Sequence, residues 1–236
     1  MRKYVLEQMI GRGGMAEVHR ARMLGPGGFE KTVCLKRILP EHSSNPGFEA
    51  MFMDEARVAA ALHHANIVQV FDFFRDDEGR LTIAMEYVEG VSLKRLVTWL
   101  SGRGEVARPA VVALVARSIL EALHHAWHGL KDGAPLRVIP RDVSPHNILL
   151  GTSGEIKLAD FGIAKALITS VRTRVGIVKG KASYMSPEQA AGGRLDCRSD
   201  LYSAGVVLWE MASGRRLFAS GGRDGRPEEP PWSRDA

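Results

Sequence analysis

The 236-residue chain has only two cysteines, Cys34 and Cys197. They cannot build a disulfide framework, which excludes a small secreted disulfide scaffold and predicts a reducing, cytoplasmic compartment. No apolar run reaches the about 18 residues that a membrane-spanning helix needs. The longest candidate, "PAVVALVARSILEAL", is short and carries Arg117. The start, "MRKYVLEQMI", lacks the apolar core of a signal peptide. The net charge is +5, but no motif sets the Lys and Arg residues on one helix or among stacking aromatics. They read as a solvated surface, and nucleic acid is not an expected partner. One further absence is local. Between Phe161 and Pro187 there is no Asp or Glu, while Lys165, Arg172, Arg174, Lys179 and Lys181 all fall there.

With 45% apolar and 25% charged residues the composition is that of a globular protein, and the length allows one large domain or two lobes. "YVLEQMIG" and "AEVHRARM" alternate around a glycine turn, and "KTVCLKRIL" follows "GPGG". This predicts a three-stranded antiparallel meander. Residues 48–62 have helical spacing, with Asn45 or Ser44 as the cap. "IVQVFDFFRD" and "LTIAMEYV" read as two further strands. After Gly90 the character turns helical, in "SLKRLVTWL" and in "RPAVVALVARSILEALHHAWH", whose Pro109 suits a first turn. Short strands follow at "NILL" and "IKLAD". "SDLYSAGVVLWEMAS" reads as a helix apolar on most sides and therefore buried. Residues 219–236 are rich in Gly and Pro, have no aliphatic larger than Ala, and are expected to be disordered.

Three constellations carry chemistry. In "IGRGGMAEV", Gly11 and Gly13 let the backbone approach a phosphate. A dinucleotide loop would be followed by a helix, whereas "AEVHRARM" reads as a strand; an ordinary hairpin turn is the other reading. Lys36 lies in an apolar strand. It either faces water at a sheet edge or pairs with Glu55 on the next helix, which would hold it towards phosphate oxygens. In "PRDVSPHN" and "LADFG", Asp142, Asn147 and Asp160 supply oxygens of the kind Mg²⁺ shares with phosphates and water. A carboxylate there could also act as a base. A hairpin of "ILL" and "IKLA" would bring Asn147 and Asp160 together. Taken singly, each acid could be a turn residue. His124 and His128 have ligand spacing but no acid between them and no third ligand, so no zinc site is expected.

In order along the chain, "GRGGMA", "VCLK", "DEARVAAAL", "PRDVSPHN", "DFG" and "SPE" resemble the signatures of the eukaryotic-type protein kinases, bacterial Ser/Thr subclass. "LHHANIV", "AMEYVEG" and "SDLYSAGVVLWEM" add to the likeness, which covers about residues 4–218. The resemblance implies an α+β, two-lobed fold. The N-lobe, residues 1–88, would be an antiparallel five-stranded sheet plus one helix. The C-lobe, residues 89–218, would be mainly helical and lack its last helices. ATP and Mg²⁺ would be the cofactors and a protein the substrate. The resemblance further implies that Gly11, Gly13 and Gly14 cover the phosphates, beside Ile10 and Val18. Lys36, paired to Glu55, would hold the α and β phosphates. Cys34 and Met85 would lie against adenine, Glu86 and Val88 would bond it through the backbone, and Leu149 would lie beneath it. Asp142 would be the catalytic base, Asn147 and Asp160 the metal ligands, and Asp200 a brace for the catalytic loop. Pro145 favours Ser or Thr over Tyr as the acceptor. The alternative is a pseudokinase, a nucleotide-binding or interaction module without turnover.

The chain departs from the family pattern in four places. Pro140 replaces a His that packs on Phe161. Ser144 replaces a Lys that contacts the transferred phosphate, and Lys181, on an adjacent loop, is expected to take over that contact. The acid-free stretch is expected to be ordered by a phosphate on Thr169, Ser170 or Thr173, paired with Arg141. Finally, the pattern stops near Phe218. A truncated C-lobe is expected, with Glu188 deprived of its Arg partner, the helix around Trp209 uncovered, and a homodimer or other partner covering the gap.

Overall fold

The computed structural model describes residues 3–161 and 182–218, and the chain divides into two compact units. The first holds the residues up to His64 together with Val68–Glu89. The second holds Ala65–Ile67 and the residues from Gly90 onward. Residues 219–236, Lys181 and the three candidate phosphorylation sites lie outside the described residues.

The first unit grows from period-two alternation. β1 (Lys3–Arg12), β2 (Ala16–Leu24) and β3 (Glu30–Ile38) form the meander. β4 (Val70–Arg75) and β5 (Leu81–Glu86) complete an antiparallel sheet in the order β1-β2-β3-β5-β4. The turn between β2 and β3 needs its glycines: Gly27 and Gly28 sit at φ 68° and 79°, where a Cβ is strained. On one face, Ala16, Ile38, Leu81 and Ile83 pack with Phe52 and Ala56 of α1 (Pro46–Ala61). Asn45 is the cap of that helix, its side chain accepting the N–H groups of Gly47 and Phe48 at 3.0 and 3.4 Å. On the other face, Ala21, Val33, Leu35 and Ala84 lie under Tyr4, Met23, Phe71 and Phe74.

One corner of this sheet is ionic. Buried Arg37 donates to Asp76 at 2.6 and 2.8 Å and to Glu78 at 3.1 Å, and buried Arg80 donates to Glu17 at 3.0 Å and Glu78 at 2.7 Å. Guanidinium groups leave water only with such company. Burial by itself would raise the Asp76 pKa. The bonds from Arg37 and from the Arg80 and Glu78 N–H groups outweigh burial and hold the carboxyl below its ordinary range.

The second unit opens with β6 (Gly90–Ser92), followed by α2 (Leu93–Ser101) and α3 (Pro109–His128). The two-residue strands β7 (Leu130–Lys131) and β8 (Ala134–Pro135) make a small hairpin, turned by Asp132 and Gly133 at φ 52° and 80°. β9 (Ile148–Gly151) and β10 (Ile156–Leu158) pair antiparallel, and β6 joins the free side of β9. A Cβ on Gly90 would collide with the Leu150 carbonyl, so the approach of β6 to β9 requires glycine. The short α4 (Pro187–Ala190) precedes α5 (Cys197–Ser213), which packs along α3.

α5 corrects one expectation. It buries Ser199, Asp200, Ser203 and Glu210 among its apolar residues, and it leaves Leu201 and Trp209 exposed on one stripe. Burial of the polar groups is possible because each finds a bond. Ser203 donates to the Ser199 carbonyl at 3.1 Å, Asp200 accepts the Arg141 N–H at 2.8 Å, and Glu210 accepts the Tyr184 hydroxyl.

The fold makes a contrast that chemical denaturation can check. Phe52→Ala empties the fully buried centre of the first unit and is expected to cost about 3–5 kcal/mol. Phe29→Ala, at a half-exposed loop position, is expected to stay within about 0.5 kcal/mol.

Candidate active site

The chemistry-bearing residues fall into two groups, one in each unit. In the first, the Gly13 N–H donates to the Ala16 carbonyl at 2.8 Å and closes the turn between β1 and β2. A Cβ at Gly11 would meet nothing closer than Val18 at 3.8 Å, and one at Gly13 nothing closer than the Ala16 oxygen at 3.7 Å. Neither glycine has a positive φ. The chain's own packing therefore admits side chains here, and glycine suits close approach from outside. His42, which stacks on Phe48, donates from Nε2 to the Gly14 carbonyl at 3.0 Å and holds the turn from behind. No local pattern in the sequence marks this contact.

Lys36 does not face water. Its Nζ lies 2.5 Å from Glu55 Oε1, and the two side chains are 13% and 9% exposed. Strand register sets Val18 opposite Lys36 and Met85 opposite Cys34. Because Cys34 and Lys36 are two apart on β3, all four share one face of the sheet. Ile10, on β1, is exposed. The Glu86 N–H donates to the Gln69 carbonyl at 2.8 Å. Val88 follows, half-buried.

In the second unit, Arg141 takes a left-handed φ of 63° and is held on both sides. Its N–H donates to Asp200 at 2.8 Å, and its carbonyl accepts from Gln189 Nε2 at 2.8 Å. The next residue, Asp142, is buried. The Asn147 amide donates to the Asp142 carbonyl at 2.9 Å and to Asp142 Oδ2 at 2.5 Å. The Asn147 carbonyl accepts the Ala159 N–H at 2.7 Å, so the hairpin of β9 and β10 sets Asn147 next to the backbone that carries Asp160, itself at φ 54°. With its nitrogen engaged by Asp142, Asn147 keeps an oxygen as a donor to a cation. Together with the Asp160 carboxyl this is a hard-oxygen set that fits Mg²⁺. Leu149 lies on β9 opposite Ser92 and Lys157. Ser144 is buried, and its Oγ has no hydrogen-bond partner among the described residues. His124 and His128 stand with ring centroids 4.4 Å apart, and no metal-binding group of three acidic, His or Cys side chains occurs among the described residues.

Two features correct or extend the sequence reading. Glu188 is not a deserted buried charge. It is half-buried and accepts a 2.5 Å hydrogen bond from Ser199, which holds its carboxyl below the ordinary range. Tyr184 donates to Glu210, with Lys94 at 3.5 Å from the same carboxylate. Burial first, and then the bond to Glu210, push the phenol pKa up. These partners lie far apart along the chain, and nothing local in the sequence announces them.

The family model described as protein kinase domain matches residues 4–228. Among curated proteins, the chain is 44% identical over 220 residues to a protein named tyrosine-protein kinase MasK of Myxococcus xanthus, covering 92% of this chain and 33% of that protein. It is 38% identical over 244 residues to serine/threonine-protein kinase pkn3 of Myxococcus xanthus (97% and 42%) and 36% identical over 216 residues to serine/threonine-protein kinase PrkC of Bacillus subtilis (92% and 31%). The chain thus spans well under half the length of these relatives. Among solved structures, the kinase domain of Mycobacterium tuberculosis PknI matches with a TM-score of 0.66 at 29% identity, over 97% of this chain and 78% of that one.

Glu55→Ala would leave the ammonium of Lys36 without this carboxylate. Removing one partner of a buried pair costs about 3–5 kcal/mol, and a loss of that size is expected in the unfolding free energy of the first unit, read by denaturant titration.

Proposed function

Because the chain belongs to the protein kinase domain family, in its eukaryotic-type bacterial branch, we propose that it transfers the γ-phosphoryl group of ATP to Ser or Thr hydroxyls of a protein substrate. The first unit carries the groups that hold nucleotide. The glycine turn of Gly11, Gly13 and Gly14 lets backbone approach the phosphates, and Lys36, fixed by Glu55, pairs with the α and β phosphates. Val18, Cys34 and Met85 offer adenine an apolar sheet face with Ile10 at its rim, and Glu86 and Val88 offer it backbone groups. The second unit carries the groups of the transfer. Asp142 orients the acceptor hydroxyl and takes its proton as the new P–O bond forms. Asn147 and Asp160 would hold Mg²⁺, which when bound offsets phosphate charge, and Leu149 is the candidate for an apolar contact to adenine. Lys181 is the candidate for the phosphate contact that Ser144 cannot make. Positioning and charge account for the catalysis, with little covalent chemistry asked of the protein.

The observation that carries this reading is the doubly bonded Asp142–Asn147 pair beside the Ala159–Asp160 backbone. Pro145, in the loop after Asp142, supports Ser or Thr as the acceptor. Tyr is a second reading, favoured by the 44% identity to the protein named as a tyrosine kinase. A module that binds nucleotide without turnover is a third, favoured by Pro140 and Ser144.

Transfer of label from radioactive ATP with Mg²⁺ to the chain itself or to a generic acceptor protein tests all three. Asp142→Asn is expected to lower the rate about 10²–10⁴-fold, and Lys36→Met is expected to weaken nucleotide binding as well. Phosphoamino-acid analysis separates Ser and Thr from Tyr. Absence of transfer by the unaltered chain, with a melting temperature raised by Mg-ATP, would replace the enzyme with the nucleotide-binding module.

A further inference from the structure

Asp200, in the first turn of α5, is 2% exposed. Its Oδ1 accepts the Arg141 N–H at 2.8 Å, whereas its Oδ2 is buried and has no hydrogen-bond partner among the described residues. The residue before Arg141 is Pro140, also buried. Proline is the one residue without a backbone N–H. The peptide group adjoining the Arg141 amide therefore has no donor to offer, and the carboxyl is bonded on one oxygen where two consecutive amides could bond both.

Other groups on these elements have partners of their own. On α5 itself, Ser199 donates to Glu188 and Ser203 to the Ser199 carbonyl. Gln189 of α4 donates to the Arg141 carbonyl. On α3, which packs along α5, Arg117 pairs with Glu121 on the exposed side, His124 stands against His128, and His125 is half-buried. The charges that act on Asp200 are Arg141, which favours its ionised form, and Asp142, which opposes it.

We propose that Asp200 is a proton-binding site, created by Pro140, through which a rise in pH loosens the anchorage of the loop that bears Asp142. With the proton on Oδ2 the carboxyl is neutral and Oδ1 still accepts the Arg141 N–H. Loss of that proton to solvent leaves a buried negative charge, bonded on one side only, close to a second carboxylate. Burial, ahead of the opposing bond and charge of Arg141, lifts the pKa from 3.8 to about 7. A carboxyl raised in the folded state contributes stability that is full below its ordinary pKa and is lost as pH rises through the folded value. Asp200 is thus a positioning residue. The inference stands on the second unit alone and holds whether or not the chain transfers phosphate.

The test follows the full chain from mildly acidic to mildly alkaline pH by two readouts, the melting temperature and the infrared carbonyl band of a protonated carboxylic acid. Asp200→Asn keeps an acceptor for Arg141 and removes the titration. Pro140→Ala restores a backbone N–H. In the unaltered chain the acid band, seen as a difference against Asp200→Asn, is expected to vanish with a midpoint at about 7, and the melting temperature to fall as pH rises towards that value and to level off above it. Pro140→Ala should move the midpoint of the acid band, and the pH at which the melting temperature levels off, down towards the ordinary carboxylate range, and Asp200→Asn should flatten the melting profile. Should Asp200→Asn fail to fold, the comparison with Pro140→Ala decides. Identical midpoints in the unaltered chain and Pro140→Ala, or no acid band on the acidic side of neutrality, as when a bound water satisfies Oδ2, would overturn the proposal.

Discussion

The bonds from the Asn147 amide to the carbonyl and side chain of Asp142 close a short loop on itself, and much of the second unit serves to keep it closed. One hydrogen bond contributes only about 1 kcal/mol net, so no single contact can hold such a loop. It is held at several points at once. Asp200 and Gln189 grip the two sides of Arg141, the Ala159 N–H reaches the Asn147 carbonyl, and Val143 and Ile148 sink into the core on either side of Pro145. The left-handed turn at Arg141, unfavourable for a side-chain-bearing residue, persists because these anchors leave the backbone no other path.

The first unit solves the matching problem of placing a cation. A buried ion pair is a weak source of stability, since desolvation offsets most of the Coulomb gain. What the bond between Lys36 and Glu55 supplies is location. It ties β3 to α1 and fixes an ammonium on the sheet face shared with Val18, Cys34 and Met85. The Arg37 and Arg80 cluster differs in kind. Its guanidinium groups are surrounded by Glu17, Asp76 and Glu78, and it braces the far corner of the sheet.

Much of this architecture was legible in the sequence because it is locally coded. Alternation marked the strands of the five-stranded sheet, Asn45 and Pro109 marked helix starts, and the order of short motifs marked the chemistry. Other features escaped for physical reasons. β6, β7 and β8 are too short for any periodicity to register. Most of the polar side of α5 is buried by bonds to partners from other elements, and an apolarity pattern cannot foresee those bonds. The contacts of Glu188 with Ser199, His42 with Gly14 and Tyr184 with Glu210 are tertiary choices. Pro140 stood out as a departure from its family, yet the atom it leaves bare belongs to a helix that begins far downstream.

The hairpin of β7 and β8 is fastened at its base, where Leu136 and Val138 donate back to Gly129 and Ala126, while its tip carries only Lys131, Asp132 and Gly133, all exposed. A Cβ at Gly133 would find open space, and nothing in the core leans on the turn. A segment fastened at its root and idle at its end can be lengthened without disturbing what lies beneath. It is the natural place to splice an epitope or a fluorophore into the second unit while leaving the loop around Asp142 intact.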